Sequence, residues 1–120
     1  MQEPGYLDLN CFQGATFDYT LTWTTGGTAV NLTGYNARMQ VRETYDSITP
    51  VLSLTAGTGI TLGGTAGTIG ITAHATATAG IPAQPPGPQQ YVYDLELVSG
   101  SGVVTRLVEG RMLVYPEVTR

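Results

Sequence analysis

Two carboxylates on one face of a C-terminal strand come closest to a catalytic pair in this sequence. Asp94 and Glu96 alternate within the apolar-polar segment Tyr91 to Leu97, so both side chains leave an extended strand on the same side. Such pairs serve in acid–base catalysis when their environments separate the two pKa values. Arg106 is expected beside them on the neighbouring strand. We therefore interpret the group as a solvated salt-bridge ladder.

The other residue types that carry chemistry are isolated. Cys11 is the only cysteine and His74 the only histidine, which excludes an intramolecular disulfide and a cysteine-based zinc site. We interpret Cys11 as a small core hydrophobe and His74 as a surface or loop-packing residue. The glycine-rich stretches 57–59 and 63–67 lack the following lysine and strong helix of a phosphate-binding loop. We predict no catalytic, cofactor-binding or metal site, and that the protein is not an enzyme.

The charge of the chain is sparse and acidic. Charged residues make up 12% of the sequence, lysine is absent, and the formal net charge is −4. Nucleic acids and anionic lipids both attract clusters of basic residues, and no such cluster is present. Threonine, glycine and alanine dominate instead, and such surfaces lose little hydration on contact with protein. We expect protein partners, with no nucleic acid and no membrane.

The sequence also lacks the marks of export or membrane insertion. Its first residues do not form a basic segment followed by an apolar stretch, as a signal peptide would. No window approaches the ~20 apolar residues of a membrane span. We therefore expect a protein that is made and folded in the cytoplasm, with residues 1–120 forming one domain.

The elements that position these residues are predicted to be short strands. Apolar residues alternate with polar ones from Phe17 to Trp23 and from Tyr35 to Val41, and a period of two indicates a strand with one buried face. Shorter strands are predicted at 7–12, 51–55, 60–62 and 68–72, separated by glycine-rich turns. This spacing favours an antiparallel sandwich or partial barrel. At most one short helical turn is expected, near residues 73–79.

The last third of the chain is predicted to be a β-hairpin. Placing Leu95 opposite Thr105 also brings Asp94 opposite Arg106 and Leu97 opposite Val103, which pairs opposite charges and apolar side chains. This register requires a three-residue loop at 99–101 with a bulge at Gly102. The apolar phase changes parity between Leu107 and Met112, and Gly110 is the predicted site of that bulge or bend.

The candidate functional residues lie at the two ends and in a proline-rich loop. Residues 1–6 and 116–120 are predicted to be extended arms, and residues 82–90 an exposed polyproline-like loop. The loop is interpreted either as a stiff connector or as a contact arm. We expect affinity for protein partners from these segments and from backbone pairing at strand edges. The candidate interface residues are Tyr6, Leu7, Pro82, Pro85, Pro86, Pro88, Tyr115, Val118 and Arg120.

Several sequence blocks resemble a family of small tailed-phage virion proteins, similar to the N-terminal domain of phage baseplate upper proteins. The blocks, in chain order, are Gln13 to Phe17, Val30 to Tyr35, Ala37 to Arg42, Tyr91 to Leu97, Val104 to Gly110 and Pro116 to Arg120. They extend over most of the chain, and each is moderately specific. Members of this family continue into a long C-terminal part that carries receptor-binding proteins, whereas this sequence ends at Arg120.

The resemblance implies an immunoglobulin-like β-sandwich located in the virion. Its expected role is that of a tail or baseplate adaptor that docks onto neighbouring virion proteins, helps to attach fibres and forms homo-oligomers in the assembled particle. A capsid decoration (cement) protein is an alternative, since a small sandwich with extended ends suits that role equally. A carbohydrate-binding module is a further alternative, for which Tyr6, Tyr45 and Tyr115 are the free aromatic candidates.

Overall fold

The computed structural model describes residues 4–119, which form an all-β fold. The strands are β1 (Gly5–Tyr6), β2 (Leu9–Phe12), β3 (Phe17–Thr22), β4 (Thr24–Thr25), β5 (Thr28–Ala29), β6 (Asn36–Arg42), β7 (Leu52–Ala56), β8 (Gly59–Leu62), β9 (Thr68–Ala73), β10 (Gln89–Val98) and β11 (Val104–Tyr115). The single helix of this part of the chain, α1 (Ala75–Ala79), lies where one helical turn was predicted. A 3-10 turn at Gly64–Ala66 lies where the sequence indicated a glycine-rich turn.

Within the described residues, nine strands form one curled, mixed sheet. Its order is β1-β11-β10-β6-β7-β8-β9-β3, with β2 also paired to β11, while β4 and β5 form a separate hairpin. The prediction of a purely antiparallel arrangement was wrong. Strands β1 and β2 run parallel to β11, and β7 meets β8 in parallel through two residue pairs. The N-terminal strands are parallel because they pair with the last strand and not with the next one along the chain.

The core is built from the alternation that the sequence predicts. Ala37, Met39 and Val41 of β6 are buried, and Ile69 and Ile71 of β9 enter the same apolar cluster from the other half of the sheet. Removing such side chains from water is the main source of stability in a domain of this size.

One residue of β3 departs from the predicted alternation. Tyr19, expected in the core with its neighbours Phe17 and Trp23, is 37% exposed. The reason is its position, because β3 is the last strand of the sheet and has a neighbour on one side only. Phe17 and Trp23 are buried as predicted.

The predicted register of the C-terminal hairpin was wrong, by two residues next to the loop and by three from Leu95 toward the start of β10. Leu97 lies opposite Thr105 and Glu96 opposite Arg106, so the loop runs from Ser99 to Val103. Next to the loop, the two-residue slip changes the partners but keeps the paired side chains on their predicted faces. Val103, predicted opposite Leu97, instead lies in the loop and is 62% exposed. Two backbone hydrogen bonds stabilise the longer loop. The Ser99 N–H donates to the Val103 carbonyl, and the Gly102 N–H donates to the Ser99 carbonyl.

The parity change in β11 is present, but its bulge is at Leu107 and not at Gly110. Leu95 pairs with Val108 and Glu96 with Arg106, which leaves Leu107 as the extra residue. Gly110 has a different role. A methyl group there would overlap the backbone of Leu7, so glycine is required because the N-terminal segment crosses β11 at close range.

The N-terminal segment is part of the sheet from Gly5 onward. Gly5 and Tyr6 pair with Val108 and Glu109, and the Leu7 N–H donates to the Glu109 carbonyl at 2.9 Å. The predicted arm at 1–6 therefore ends as strand β1, and the predicted strand 7–12 is confined to β2. Residues 1–3 of that arm lie outside the described residues.

Candidate protein-interaction surface

The acidic residues of β10 form the predicted salt-bridge ladder. Glu96 pairs with Arg38 of β6 at 2.7 Å, and Asp94 pairs with Arg106 of β11 at 3.5 Å. Arg106 also lies 3.5 Å from Glu109. Asp94 and Glu96 therefore each have an arginine partner on an adjacent strand, although Arg106 lies diagonal to Asp94 and not directly opposite it. Such exposed pairs each contribute little to stability.

A shallow groove of about 250 Å³ lies over this ladder, and Asp94 is among the residues that line it. Partial burial raises the pKa of the Asp94 carboxyl, nearby Glu96 raises it further, and Arg106 opposes both effects. A raised carboxyl pKa can mark a general acid. Here the carboxylates of Glu96 and Glu109 are paired with arginines, and among the described residues no cysteine, serine, threonine, lysine or histidine lines the groove.

The lone Cys11 and His74 also lie where the sequence suggested. The Cys11 side chain is buried on the inner face of β2, and burial raises the pKa of its thiol, which makes the thiolate scarce. His74 is exposed and precedes helix α1. Among residues 4–119, no group of three or more His, Cys, Asp or Glu side chains is arranged to hold a metal ion.

One end of the molecule gathers most of the predicted interface segments. Strands β2 and β11 end there, β3 and β10 begin there, and α1 with the proline-rich loop connects β9 to β10. We call this end the terminal end. A side chain at Gly87 of the loop would overlap the Pro116 ring, and a side chain at Gly14 would overlap the Glu117 carboxyl group. The loop, the β2–β3 turn and the C-terminal segment are therefore in mutual contact.

Two polar side chains join these segments. The Gln13 amide donates to the Ile81 carbonyl at 2.9 Å and accepts from the Glu117 N–H at 3.0 Å. The Thr78 hydroxyl, fully buried on helix α1, accepts from the Gly14 N–H at 3.1 Å and lies 2.8 Å from the Ala15 carbonyl. Each side chain satisfies backbone groups that would otherwise be unpaired. Hydrogen bonds therefore connect four segments at the terminal end, namely the β2–β3 turn, helix α1, the residues before the proline-rich loop and the C-terminal segment.

These segments enclose an open groove of about 750 Å³. Its lining contains small apolar and uncharged polar residues with a single acidic one, namely Gln13, Gly14, Ala75, Thr76, Ala79, Ala83, Gln84, Pro85, Glu117 and Thr119. Within residues 4–119, the lining contains no cysteine, histidine, lysine or arginine. A wide, weakly charged groove of this kind is suited to the side chains or backbone of another protein.

The four prolines proposed as interface residues lie at or next to this groove. Pro82, Pro85, Pro86 and Pro88 are all exposed. The loop that carries them is fixed at its start, because the Tyr91 hydroxyl donates to the Pro82 carbonyl. The loop is therefore exposed, as predicted, and is tethered at both ends, by Tyr91 and by the contact with Pro116.

The remaining predicted interface residues are distributed differently. Val118, at 93% exposure, extends from the terminal end, and Tyr115 lies at the same end of β11. Tyr6 is 63% exposed on β1, where its hydroxyl accepts from the Arg111 Nε–H at 3.0 Å. Leu7 packs against the core, so its side chain is not presented to a partner. Arg120 lies outside the described residues.

The structure adds exposed apolar residues that sequence reasoning missed. Phe12 is 57% exposed and stacks on Tyr115, with ring centroids 5.0 Å apart. Ile48, 96% exposed, lies in the β6–β7 loop, which also carries Tyr45 and leaves the sheet beside the first residues of β10. The alternation of β2 is a signal that could have placed Phe12 on the outer face. No sequence signal distinguishes Ile48 from a core isoleucine.

Comparison with known proteins does not identify the chain. No protein-family model matches the sequence, and a search of curated proteins finds no match. In the described part of the chain, no helix has the length and apolar character needed to cross a membrane.

Proposed function

We propose that this chain is a structural protein of a bacteriophage particle, a tail or baseplate adaptor with an immunoglobulin-like fold that docks onto neighbouring virion proteins and helps to attach fibres. It binds through the terminal end and has no catalytic role. The family resemblance of the sequence blocks suggests the phage setting. The contacts of the terminal end support the docking role.

The order of the strands supports the immunoglobulin-like part of the proposal. Strands β3, β9 and β8 are neighbours in one part of the sheet, and β7, β6, β10 and β11 in the other. Only two residue pairs between β7 and β8 join these parts. Immunoglobulin domains divide their second to seventh strands between two sheets in the same manner, with the second strand paired to the fifth and the third to the sixth.

The observation that carries the docking role is the concentration of exposed apolar side chains at the terminal end. Phe12, Tyr45, Ile48 and Val118 are between 57% and 96% exposed. Phe12 and Val118 lie on segments of the terminal end, and Tyr45 and Ile48 lie in the β6–β7 loop, which leaves the sheet beside the first residues of β10. The terminal end also carries the groove of about 750 Å³, whose lining in the described part of the chain contains one charged residue, Glu117. Exposed apolar clusters of this type mark interaction sites on soluble proteins.

The location of the protein in the particle tests the phage proposal. Cryo-electron microscopy of virions from a phage encoding this chain should place a few to some dozens of copies at the tail vertex. Hundreds of copies distributed over the shell would instead identify a decoration protein. Absence from purified particles would contradict both assignments.

Matched substitutions test the docking surface. Val118→Asp should reduce incorporation into particles about tenfold or more, because it places a charge in a buried contact. Val103→Asp is the control, since Val103 is 62% exposed in the β10–β11 loop at the opposite end. Equal incorporation of both variants would contradict docking through the terminal end.

A carbohydrate-binding module remains the competing function, supported by the exposed Phe12–Tyr115 stack. Aromatic faces bind sugar rings. A glycan array probed with the purified chain distinguishes the two functions. The docking proposal predicts that the purified chain binds no glycan through this stack. Glycan binding that is lost in the Phe12→Ala variant would instead support the carbohydrate-binding function.

A further inference from the structure

Strand β3 has a free hydrogen-bonding edge along its full length. It pairs with β9 through six residue pairs, from Phe17–Ala73 to Thr22–Thr68, and it ends the order of the nine-stranded sheet. Strand β2 precedes it in sequence but pairs with β11. A groove of about 320 Å³, lined by residues 8–10, 12 and 16–19, separates β2 from β3. No strand in the described residues covers this edge.

The backbone groups at the free edge can be assigned. The Trp23 N–H donates to the Gly67 carbonyl, and the Thr68 carbonyl accepts from Gly63 on the opposite side of β9. Antiparallel strands alternate between residues that bond to the partner and residues that point away. Residues 17, 19 and 21 therefore bond to β9, and the N–H and C=O groups of Asp18, Thr20 and Thr22 point outward.

The β3 edge lacks the features that usually prevent strand addition. Edge strands are commonly shortened, interrupted by proline or a bulge, or protected by lysine. The other edge of the sheet is of this kind, since β1 has two residues, β2 has four, and Leu7 and Asp8 interrupt them. Strand β3 has six residues, no proline and no lysine, and its one charge is Asp18.

We infer that β3 is a dimerisation edge, to which a second copy of this chain adds its own β3 in the antiparallel direction with Thr20 opposite Thr20. This register pairs Asp18 of each copy with Thr22 of the other, so all three outward residues form hydrogen-bonded pairs. It therefore supplies six backbone hydrogen bonds. The biological use of this dimer rests on the proposed function, in which a virion module is present in several copies.

The side chains favour a second copy as the occupant of this edge. In the Thr20-centred register Tyr19 lies opposite Leu21 of the partner, which pairs an exposed aromatic with a half-buried aliphatic residue. A register centred on Asp18 would oppose two carboxylates and is disfavoured. The contact is small, so we expect weak association, in the micromolar to millimolar range.

Hydrogen exchange of the unmodified chain tests this inference directly. NMR spectra recorded at increasing protein concentration should show growing protection of the Asp18, Thr20 and Thr22 amides. The amides of Tyr19 and Leu21 should be protected at every concentration, because they already bond to β9. If protection of these three amides is independent of concentration up to ~1 mM, in the weak-binding range, the inference is wrong.

Charge substitutions at the centre of the contact supply a second test. Thr20→Lys places two lysines opposite each other and should weaken self-association in sedimentation by about tenfold or more. Thr61→Lys is the matched control, since Thr20 and Thr61 flank Gly70 on the same outer face but Thr61 lies on β8, an interior strand. Circular dichroism should confirm that both variants fold.

A mixture of variants distinguishes β3 pairing from a general charge effect. Thr20→Lys and Thr20→Glu should each be monomeric alone and should form a heterodimer when mixed, because the opposed charges then attract. Equal weakening by Thr20→Lys and Thr61→Lys, or no recovery on mixing, would overturn the inference. All readouts use the purified chain, so a dimer that never enters particles would contradict the proposed function and leave the inference intact.

Discussion

At the scale of single residues, Tyr93 of β10 holds the N-terminal segment against the sheet. Its side chain is buried in the core, and its hydroxyl donates to the Leu7 carbonyl at 2.6 Å. Gly110 lies opposite Tyr93 on β11. The missing side chain at Gly110 gives the N-terminal segment the room to reach this hydroxyl. One aromatic residue and one glycine therefore hold the N-terminal segment against the sheet.

The Tyr93 hydroxyl should make stability depend on alkaline pH. Burial raises the pKa of this phenol well above its ordinary value, and nearby Tyr19, Asp8 and Tyr6 raise it further. Above pH ~10 the unfolded chain loses the proton that the folded chain keeps, so the free energy of unfolding falls as pH rises. Lysine is absent, so this slope reports mainly tyrosine and Cys11.

Tyr93→Phe should be less stable than the parent by about 1 kcal/mol at pH 7, because the Leu7 carbonyl loses its partner. Its stability should nevertheless fall less steeply between pH 9 and 11. Urea unfolding followed by the fluorescence of Trp23 measures both effects. Tyr45→Phe, at a position 81% exposed, should leave the slope unchanged. A parental slope in Tyr93→Phe would contradict this account.

At the scale of elements, the short helix α1 fixes the position of the β2–β3 turn through hydrogen bonds. Its five residues contain one fully buried side chain, Thr78, whose hydroxyl bonds to backbone atoms of Gly14 and Ala15. A helix of five residues has little stability of its own. Its position therefore depends on this tertiary contact.

Thr78→Val should cost about 1–3 kcal/mol of stability, because valine keeps the shape of threonine but leaves the Gly14 N–H without a partner. Denaturant unfolding of the two proteins gives this difference. Thr76→Val on the same helix is the control, since Thr76 is exposed and its change should be within about 0.5 kcal/mol. Similar losses in both variants would indicate an effect of helix propensity alone.

The sequence predicts individual strands better than it predicts their partners. The alternation of Ala37, Met39 and Val41 determines which face of β6 is buried, and this pattern is local. The pairing of Leu9 with Met112 joins residues far apart in the chain, and no local pattern encodes it. The hairpin register failed for a related reason, because the five-residue loop and the bulge at Leu107 both shift the pairing in the same direction, which pairwise charge matching does not reveal.

The candidate site was predictable to a similar degree. Its exposed prolines follow from composition, because four prolines within seven residues cannot form a regular strand or helix. The contacts that assemble the terminal end could not be predicted. Gln13 and Thr78 are ordinary polar residues in the sequence, and their importance comes from backbone atoms that the fold brings to them.

At the scale of the whole molecule, stability should be nearly independent of ionic strength. The four ion pairs of the described residues are partly exposed, and such pairs contribute at most about 1 kcal/mol each. We expect the free energy of unfolding in urea to change by less than about 1 kcal/mol between low salt and ~0.5 M NaCl. A larger loss of stability in salt would show that electrostatic attraction has a greater role than the ion-pair geometry indicates.

The parallel pairing of β1 and β2 with β11 also constrains the order of events during synthesis. Among the described residues, β1 and β2 pair with β11, so they must wait until β3 to β11 have been translated. Until then the apolar side chains of β2 have no docking site, and a truncated translation product cannot bury them. The sheet can therefore close only after β11 has been synthesised, so any copy interrupted before β11 keeps these apolar side chains exposed and is distinguishable from a folded one.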